Sequence, residues 1–288
     1  MRVIKAKSLK GLLDTVKDLN KDNKYWFRGH ADSSYVLLPS AYRKLIVVQD
    51  QFGRPVEPRE ILPTDTHGDV VLLPDNLYLN SFFSELDRQK IDYEKNLNIV
   101  EKYCLAQHYG VWTPLLDWTT DFSVCCFFAC DGKKKGVSSD IYLIDPVGWN
   151  KRFGYDKVLN SDEIIEVSDM LPLAMNGTKQ DKRMCRQSGN FIVFGEQVKP
   201  LDFYDSNDNS EVFIRIIVPE KIANELTQYL VSFGINKDSI YVGDDIKDKV
   251  SKSLKTINED TFKRIIEEHR NMWINTPVED RGAPNHVC

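Results

Sequence analysis

The segment from Phe122 to Cys130 constrains the fold more than any other, because almost every side chain in it is apolar. A helix that is hydrophobic on all its faces is normally buried inside a protein. Asp121, which precedes the segment, is a residue type that commonly caps the N-terminus of a helix. The pattern therefore predicts a capped, nearly fully buried helix over 122–130 that anchors the residues before it.

Other segments have the periodicities of a protein that mixes helices and strands. Apolar residues at helical spacing predict helices over 8–19 with Ser8 as the N-cap, two within 77–109 with a break near 91–92, and one over 221–233. Residues that favour strands predict β-strands at 25–27, 141–144, 191–194, 212–218 and 239–241. We therefore predict an α+β fold with a mixed or antiparallel central sheet flanked by helices.

The chain has 288 residues and is expected to form one main domain over 1–245. Gly and Pro residues punctuate the stretch 46–75, which predicts a loop-rich insertion in that domain. A helical segment over 246–275 and a flexible polar tail over 276–288 are expected to follow.

Composition limits the partners that the chain can have. A net charge of -5 argues against a broad, sequence-independent grip on nucleic acid, which requires a basic surface. The longest apolar stretches are far shorter than the roughly 20 residues that cross a bilayer. The N-terminus lacks the apolar segment of a secretory signal. We therefore expect a cytoplasmic protein with no membrane partner.

The six cysteines are spread through the chain, and none forms a C-x-x-C pair. Cys125, Cys126 and Cys130 fall within the predicted buried helix, where free cysteine commonly behaves as a small hydrophobic residue. No fourth ligand lies nearby at zinc spacing. We therefore predict reduced thiols and no metal site.

The first cluster of candidate functional residues surrounds Arg28, which leaves the end of the strand predicted at 25–27. Its planar guanidinium suits phosphate or carboxylate, and Gly29 lets the backbone approach another group closely. His30 and, further along, Arg43 belong to the same cluster. Two interpretations stand side by side: Arg28 binds an anionic ligand, or it is buried and paired with an internal carboxylate such as Asp117.

The second cluster contains His108, at the end of a predicted helix, and the sequence from Asp117 through Trp118 to Thr119. The latter lies at a strand-to-helix junction, where a helix N-terminus favours anions. Thr119 is equally a candidate helix cap, and Trp118 a candidate structural residue. His30 and His108 are also open to a structural interpretation, in which each donates a hydrogen bond to a buried carbonyl.

The third cluster contains Arg183 and Gln187, which are four residues apart and would share one face of a helical turn. Gly189 then permits a sharp turn into the strand that begins near Phe191. A basic helix C-terminus explains the same residues without any function.

These clusters, in this order, resemble the FRG domain family. The resemblance rests on Phe-Arg-Gly at 27–29, Leu-Asp-Trp-Thr at 116–119 and Gln-Ser-Gly at 187–189, and it covers about residues 24–241. It implies a shared fold and a bacterial or phage protein.

A more distant resemblance links the same layout to ADP-ribosyltransferases, which act on NAD. It implies that Arg28 holds the NAD diphosphate and that Trp118 stacks on nicotinamide. Thr119 would stand where those enzymes have a Ser/Thr motif, with Asp117 beside it. The resemblance therefore implies that the predicted α+β fold is like that of the ADP-ribosyltransferases.

The segment at Gln187 carries no acid where the ADP-ribosyltransferases have a glutamate, so Asp117 or Glu196 would have to supply the carboxylate. The resemblance thus assigns catalytic roles to Arg28, Asp117, Gln187 and Glu196. The residues expected to bind substrate are His30, Arg43, His108, Trp118, Thr119, Arg183 and Phe191.

Three functions remain open at this point. The leading hypothesis is a protein that binds NAD or a related nucleotide and transfers ADP-ribose or cleaves NAD, with a protein or nucleic-acid acceptor left unidentified. The first alternative is a nucleotide- or protein-binding module without catalysis. The second is a metal-dependent phosphodiesterase or nuclease that uses His30, His108 and Asp117.

Overall fold

A seven-stranded mixed sheet is the main feature of the computed structural model, which describes residues 1–43, 75–167, 172–177, 189–194, 199–205, 211–241 and 256–264. The strands are β1 (Arg2–Lys5), β2 (Trp26–His30), β3 (Leu115–Thr119), β4 (Ser139–Ile144), β5 (Leu173–Met175), β6 (Gly189–Val193) and β7 (Phe213–Val218). Their order across the sheet is β1-β7-β4-β2-β3-β6-β5. β1 pairs with β7 in parallel, whereas β4 pairs with both β2 and β7 in antiparallel. The predicted α+β class and mixed sheet are confirmed.

The helices are α1 (Leu9–Leu19), α2 (Asp75–Arg88), α3 (Ile99–His108), α4 (Phe122–Cys130), α5 (Pro146–Lys151), α6 (Ser161–Val167), α7 (Glu220–Ser232), α8 (Lys237–Ile240) and α9 (256–264). Ser8 caps α1 and accepts a hydrogen bond from Gly11 N at 3.0 Å, as predicted. The break between α2 and α3 also falls in the predicted region. In the described part of the chain, no helix has both the length and the apolar character needed to cross a membrane.

The chain divides into two compact units. Unit 1 comprises 1–37, 116–193 and 200–243, and unit 2 comprises 38–115, 194–199 and 244–288. Unit 1 holds the sheet, apart from the first residue of β3, together with α1 and α4 to α8. Unit 2 holds α2, α3 and α9. The predicted boundaries at 245 and 275, the tail, and almost all of the insertion over 46–75 lie outside the described residues.

One face of the sheet forms the main core of unit 1 with α1, α4 and α7. On this face Phe27 and Ile141 belong to the same buried cluster as Val124 of α4. Gly29 lies directly against α4, because a Cβ atom at that position would lie 2.1 Å from the carbonyl oxygen of Cys125. The predicted close approach at Gly29 is therefore made by α4, whose predicted burial is confirmed.

Unit 2 has its own core, in which α9 is tied to the turn after α3. Asn258 of α9 accepts a hydrogen bond from Trp112 N at 3.1 Å and donates one to Gly110 O at 3.0 Å. The Trp112 ring packs between Tyr78 of α2 and Phe262 of α9, with centroids 5.5 and 6.3 Å away.

Several local predictions differ from the structure. The strand predicted at 239–241 is wrong, because Asn236 and Ser239 form a capping box that begins α8. β2 extends through His30, so Arg28 lies within the strand and not beyond its end. β1 and β5 were not predicted. β1 is only four residues long, and pairing with the distant β7 stabilises it.

Candidate functional site

Two of the polar candidates, Arg28 and His30, lie on the face of the sheet opposite α4. Side chains alternate along a strand, so Arg28 and His30 of β2 share one face. In β4, the residues opposite Arg28 and His30 are Tyr142 and Asp140. On the other side of β4, Arg215 of β7 lies opposite Tyr142. These five side chains therefore occupy one surface of unit 1, which we call the Arg28 face.

Hydrogen bonds to His30 and to the backbone of Asp117 help to hold the Arg28 guanidinium. Its Nε donates to His30 Nε2 at 3.0 Å, and its Nη1 donates to the backbone oxygen of Asp117 at 2.6 Å. The Asp117 carboxylate lies 3.9 Å from Nη1 and is 64% exposed, whereas the Arg28 side chain is 13% exposed. The predicted contact between Arg28 and Asp117 is therefore present, and the backbone carbonyl makes the closer approach.

His30 fixes the orientation of Arg28 and is itself buried. Because an arginine Nε always carries a hydrogen, His30 Nε2 has to be an unprotonated acceptor. The imidazole is then neutral, with its hydrogen on Nδ1. The rings of Tyr35 and Tyr142 meet it edge-on, with centroids 6.0 and 5.2 Å away. These contacts make His30 a positioning residue for the guanidinium.

Asp140 and Arg215 form an ion pair on the Arg28 face. Arg215 Nη2 lies 2.6 Å from Asp140 Oδ2, and the Tyr142 hydroxyl donates to the same oxygen at 3.3 Å. Burial raises the pKa of Asp140 despite the opposing effect of Arg215. Burial lowers the pKa of Arg215, but the hydrogen bond to Asp140 raises it, and the net shift is upward. Burial also raises the pKa of Tyr142.

The junction between β3 and α4 contains the helix cap that was predicted at Asp121. Asp121 caps α4, and its Oδ1 accepts hydrogen bonds from Ser123 N at 2.8 Å and Val124 N at 3.4 Å. A carboxylate therefore already occupies the first donors of the helix. Thr119 is buried and accepts from Asp121 N at 3.0 Å, so it stabilises the turn before the helix.

Trp118 lies in the interior next to the Arg28 face. It is 2% exposed, and its ring meets Phe213 edge-on with centroids 6.4 Å apart. The register of β2 with β3 places Trp118 opposite Arg28, one step along from the pair of Phe27 with Thr119. The structural interpretation of Trp118 agrees with this packing. Stacking on nicotinamide stays a prediction that requires the ring to become accessible.

The remaining candidates fall in unit 2, in β6 or outside the described residues. Arg43 and His108 belong to unit 2. Arg43 is exposed and donates from Nε to Leu38 O at 2.9 Å, and the half-buried His108 ring lies edge-on to Tyr109. Phe191 is buried in β6 of unit 1 and pairs with Met175. Arg183, Gln187 and Glu196 lie outside the described residues.

Sequence reasoning missed Asp140, Tyr142 and Arg215 as members of the candidate site. Its predicted strands included Tyr142 and Arg215 but gave neither a role. A charged residue that interrupts an apolar strand, such as Arg215 in Phe213–Val218, is the signal that was available. Its pairing with Asp140 depends on strand order, which the local pattern does not contain.

Among the described residues, no group of three or more His, Cys, Asp or Glu side chains could hold a metal ion. Cys104, Cys125, Cys126 and Cys130 are free thiols. Burial raises the pKa of Cys125 and Cys126.

Residues 23–137 match the family model described as the FRG domain. The matched region includes Arg28, His30 and Asp117, as well as α4, and ends before Asp140. The resemblance stated for 24–241 is thus confirmed over its first part, which contains two of the three motifs. No curated protein and no solved structure matches the chain.

Proposed function

We propose that this chain, which carries an FRG domain, binds NAD or a related nucleotide on the Arg28 face, with Arg28 holding a phosphate and Asp117 beside the ribose. The observation that carries the proposal is the fixed guanidinium of Arg28, which is oriented by His30 and by the backbone of β3. A cation held in place before the ligand arrives loses little conformational freedom on binding.

The surroundings of Arg28 suit an exchangeable anion. The separation of 3.9 Å from the Asp117 carboxylate is longer than a hydrogen bond, and Asp117 is largely exposed. Because Asp117 is largely exposed and does not approach the guanidinium to hydrogen-bond distance, a phosphate oxygen can replace its carboxylate beside Arg28. Arginine is well suited to the replacement because its planar fork matches the geometry of phosphate oxygens.

NAD is the ligand that the resemblance to ADP-ribosyltransferases suggests. If the bound NAD reacts, the bond between ribose C1′ and the nicotinamide nitrogen breaks, nicotinamide leaves, and water or an acceptor forms the new bond at C1′. Asp117 would stabilise the positive charge that develops on the ribose, and Arg28 would stabilise the diphosphate. The proposal therefore separates into binding, which needs Arg28, and turnover, which also needs a carboxylate.

Purified protein titrated with NAD tests the binding step, with heat release and thermal unfolding as readouts. We expect Arg28→Ala to abolish binding, and Arg28→Lys to weaken it by about tenfold or more because lysine lacks the fork. Arg88→Ala is a matched control, since Arg88 is an exposed arginine of unit 2 paired with Glu85. Circular dichroism would show whether each variant is folded.

Nicotinamide release and transfer of mass to an acceptor, followed in the same samples, test turnover. Release that is lost in Arg28→Ala and in Asp117→Asn supports NAD cleavage at this site. NAD binding without release supports the non-enzymatic binding module. If NAD neither binds nor releases nicotinamide, the nucleotide proposal is overturned, and phosphodiester cleavage with added divalent ions becomes the next assay.

A further inference from the structure

The ion pair between Asp140 and Arg215 uses one oxygen of the carboxylate and one nitrogen of the guanidinium. Arg215 Nη2 binds Asp140 Oδ2 at 2.6 Å and also donates to Ser33 O at 3.2 Å. Arginine and carboxylate groups frequently pair through two parallel hydrogen bonds instead. Here Asp140 Oδ1 and Arg215 Nε are both buried, and within the described residues neither has a hydrogen-bond partner.

Native proteins pair the large majority of their buried polar atoms, so these two atoms of one ion pair indicate a further binding group. The carboxylate oxygen Asp140 Oδ1 accepts a hydrogen, and Arg215 Nε donates one. A hydroxyl group satisfies both atoms, because it donates one hydrogen bond and accepts another. Adjacent hydroxyls of a sugar could also serve one atom each.

The location of the pair agrees with a ligand that reaches it from Arg28. Arg28, Tyr142 and Arg215 lie on three neighbouring strands in one row across the sheet. Neighbouring strands are about 4.8 Å apart, so the backbones of Arg28 and Arg215 are separated by roughly 10 Å. The Arg215 side chain is 25% exposed and the Asp140 side chain is fully buried, so a ligand hydroxyl reaches Asp140 Oδ1 and Arg215 Nε only after the Arg215 side chain shifts.

We infer that Asp140 and Arg215 bind the ribose hydroxyls of a nucleoside diphosphate whose phosphate is held by Arg28. This inference rests on the proposed function, in which Asp117 lies beside the ribose that carries nicotinamide, and it adds a site for the adenosine ribose on the other side of Arg28. The ligand class is then a ribonucleotide, because a sugar without the 2′- and 3′-hydroxyls leaves Asp140 Oδ1 and Arg215 Nε unsatisfied.

Titration of the wild-type protein with ADP and with 2′,3′-dideoxy-ADP tests the inference, with NAD as the reference ligand. We expect ADP to bind about tenfold or more tightly than the dideoxy compound, since hydrogen bonds to charged groups are among the stronger ones. Asp140→Asn, which keeps the shape of the side chain, should reduce this preference to within about threefold. The wild-type comparison needs no variant and stays valid if Asp140→Asn fails to fold.

The outcomes separate the two proposals. Equal affinity for ADP and the dideoxy compound, with NAD binding still dependent on Arg28, overturns the ribose site and assigns the two buried atoms to a structural water. The ribose site is also overturned if the protein binds NAD but does not bind ADP. If the Asp140→Asn variant folds and still prefers ADP to the dideoxy compound as strongly as the wild type does, the ribose hydroxyls bind elsewhere and the inference is overturned. If none of the three ligands binds, the proposed function itself is overturned.

Discussion

Gly29 of β2 and Cys125 of α4 approach so closely that no side chain fits between them. A Cβ atom on Gly29 would lie 2.1 Å from the Cys125 carbonyl oxygen and 2.5 Å from the Ala129 backbone nitrogen. Both of these atoms belong to the backbone of a buried helix, which cannot rotate out of the way as a side chain can. The contact fixes the separation between the helix and the strand that carries Arg28.

We therefore predict that Gly29→Ala destabilises the protein by about 3 kcal/mol, the upper part of the usual range for overpacking, because the helix has to move away from the sheet. Chemical denaturation followed by circular dichroism measures this change. Gly11→Ala is the matched control, since a Cβ atom there meets only Ser8 Oγ at 3.1 Å. A Gly29→Ala protein as stable as the control would show that α4 does not pack against β2 at this distance.

The ion pair on the Arg28 face predicts a dependence of stability on pH. Burial raises the pKa of Asp140 in the folded protein, so its contribution to stability is present below the unfolded pKa of about 3.9 and is lost as pH rises through the folded pKa. The free energy of unfolding of the wild type, relative to Asp140→Asn, should therefore decrease from pH 3 towards neutral pH. Urea unfolding at several pH values measures the difference.

Asp32 provides a control, because its effect on stability should change with pH in the opposite direction. Hydrogen bonds from the Ser34 side chain and backbone lower the pKa of Asp32. The contribution of Asp32 to the stability of the folded protein is present above its unfolded pKa and is lost as pH falls through its folded pKa. The stability of the wild type relative to Asp32→Asn should therefore increase with pH. Parallel trends for the two variants would contradict the assignment of Asp140 as a carboxyl with a raised pKa.

The buried thiols of α4 should be inert in the native protein. Burial raises the pKa of Cys125 and Cys126, and alkylation requires the thiolate. We expect iodoacetamide to leave both unmodified at neutral pH and to modify both after unfolding in guanidinium. Peptide mapping by mass spectrometry distinguishes them from Cys185 and Cys288. Modification of native Cys125 at the rate of a free peptide thiol would show that α4 opens readily.

Much of the fold can be predicted because its signals are local. Helices α1 and α4 are specified by residues next to one another in sequence: a cap at Ser8 or Asp121, followed by apolar side chains at the required spacing. The first part of the strand at Trp26–His30, which was predicted as 25–27, and the close approach at Gly29 also followed from residue type. The strand predicted near Ser239 failed because a local capping box was overlooked.

The composition of the candidate site depended on which strands become neighbours. Arg28 and Asp117 could be proposed as partners from their residue chemistry, whereas the link from Arg28 to His30 required the actual rotamers. The pair of Asp140 with Arg215 arises because β4 lies between β2 and β7.

The sequence by itself determined the helices α1 to α4 and α7, most of the strands and the chemical character of the residue at position 28, because these follow from side-chain type and from periodicity over a few residues. Only the tertiary structure decided that β1 pairs with β7, that Trp118 is buried, and that Asp140 and Arg215 share a face with Arg28. Contacts between segments far apart in sequence are selected by the packing of the whole sheet, which no short stretch of the chain specifies.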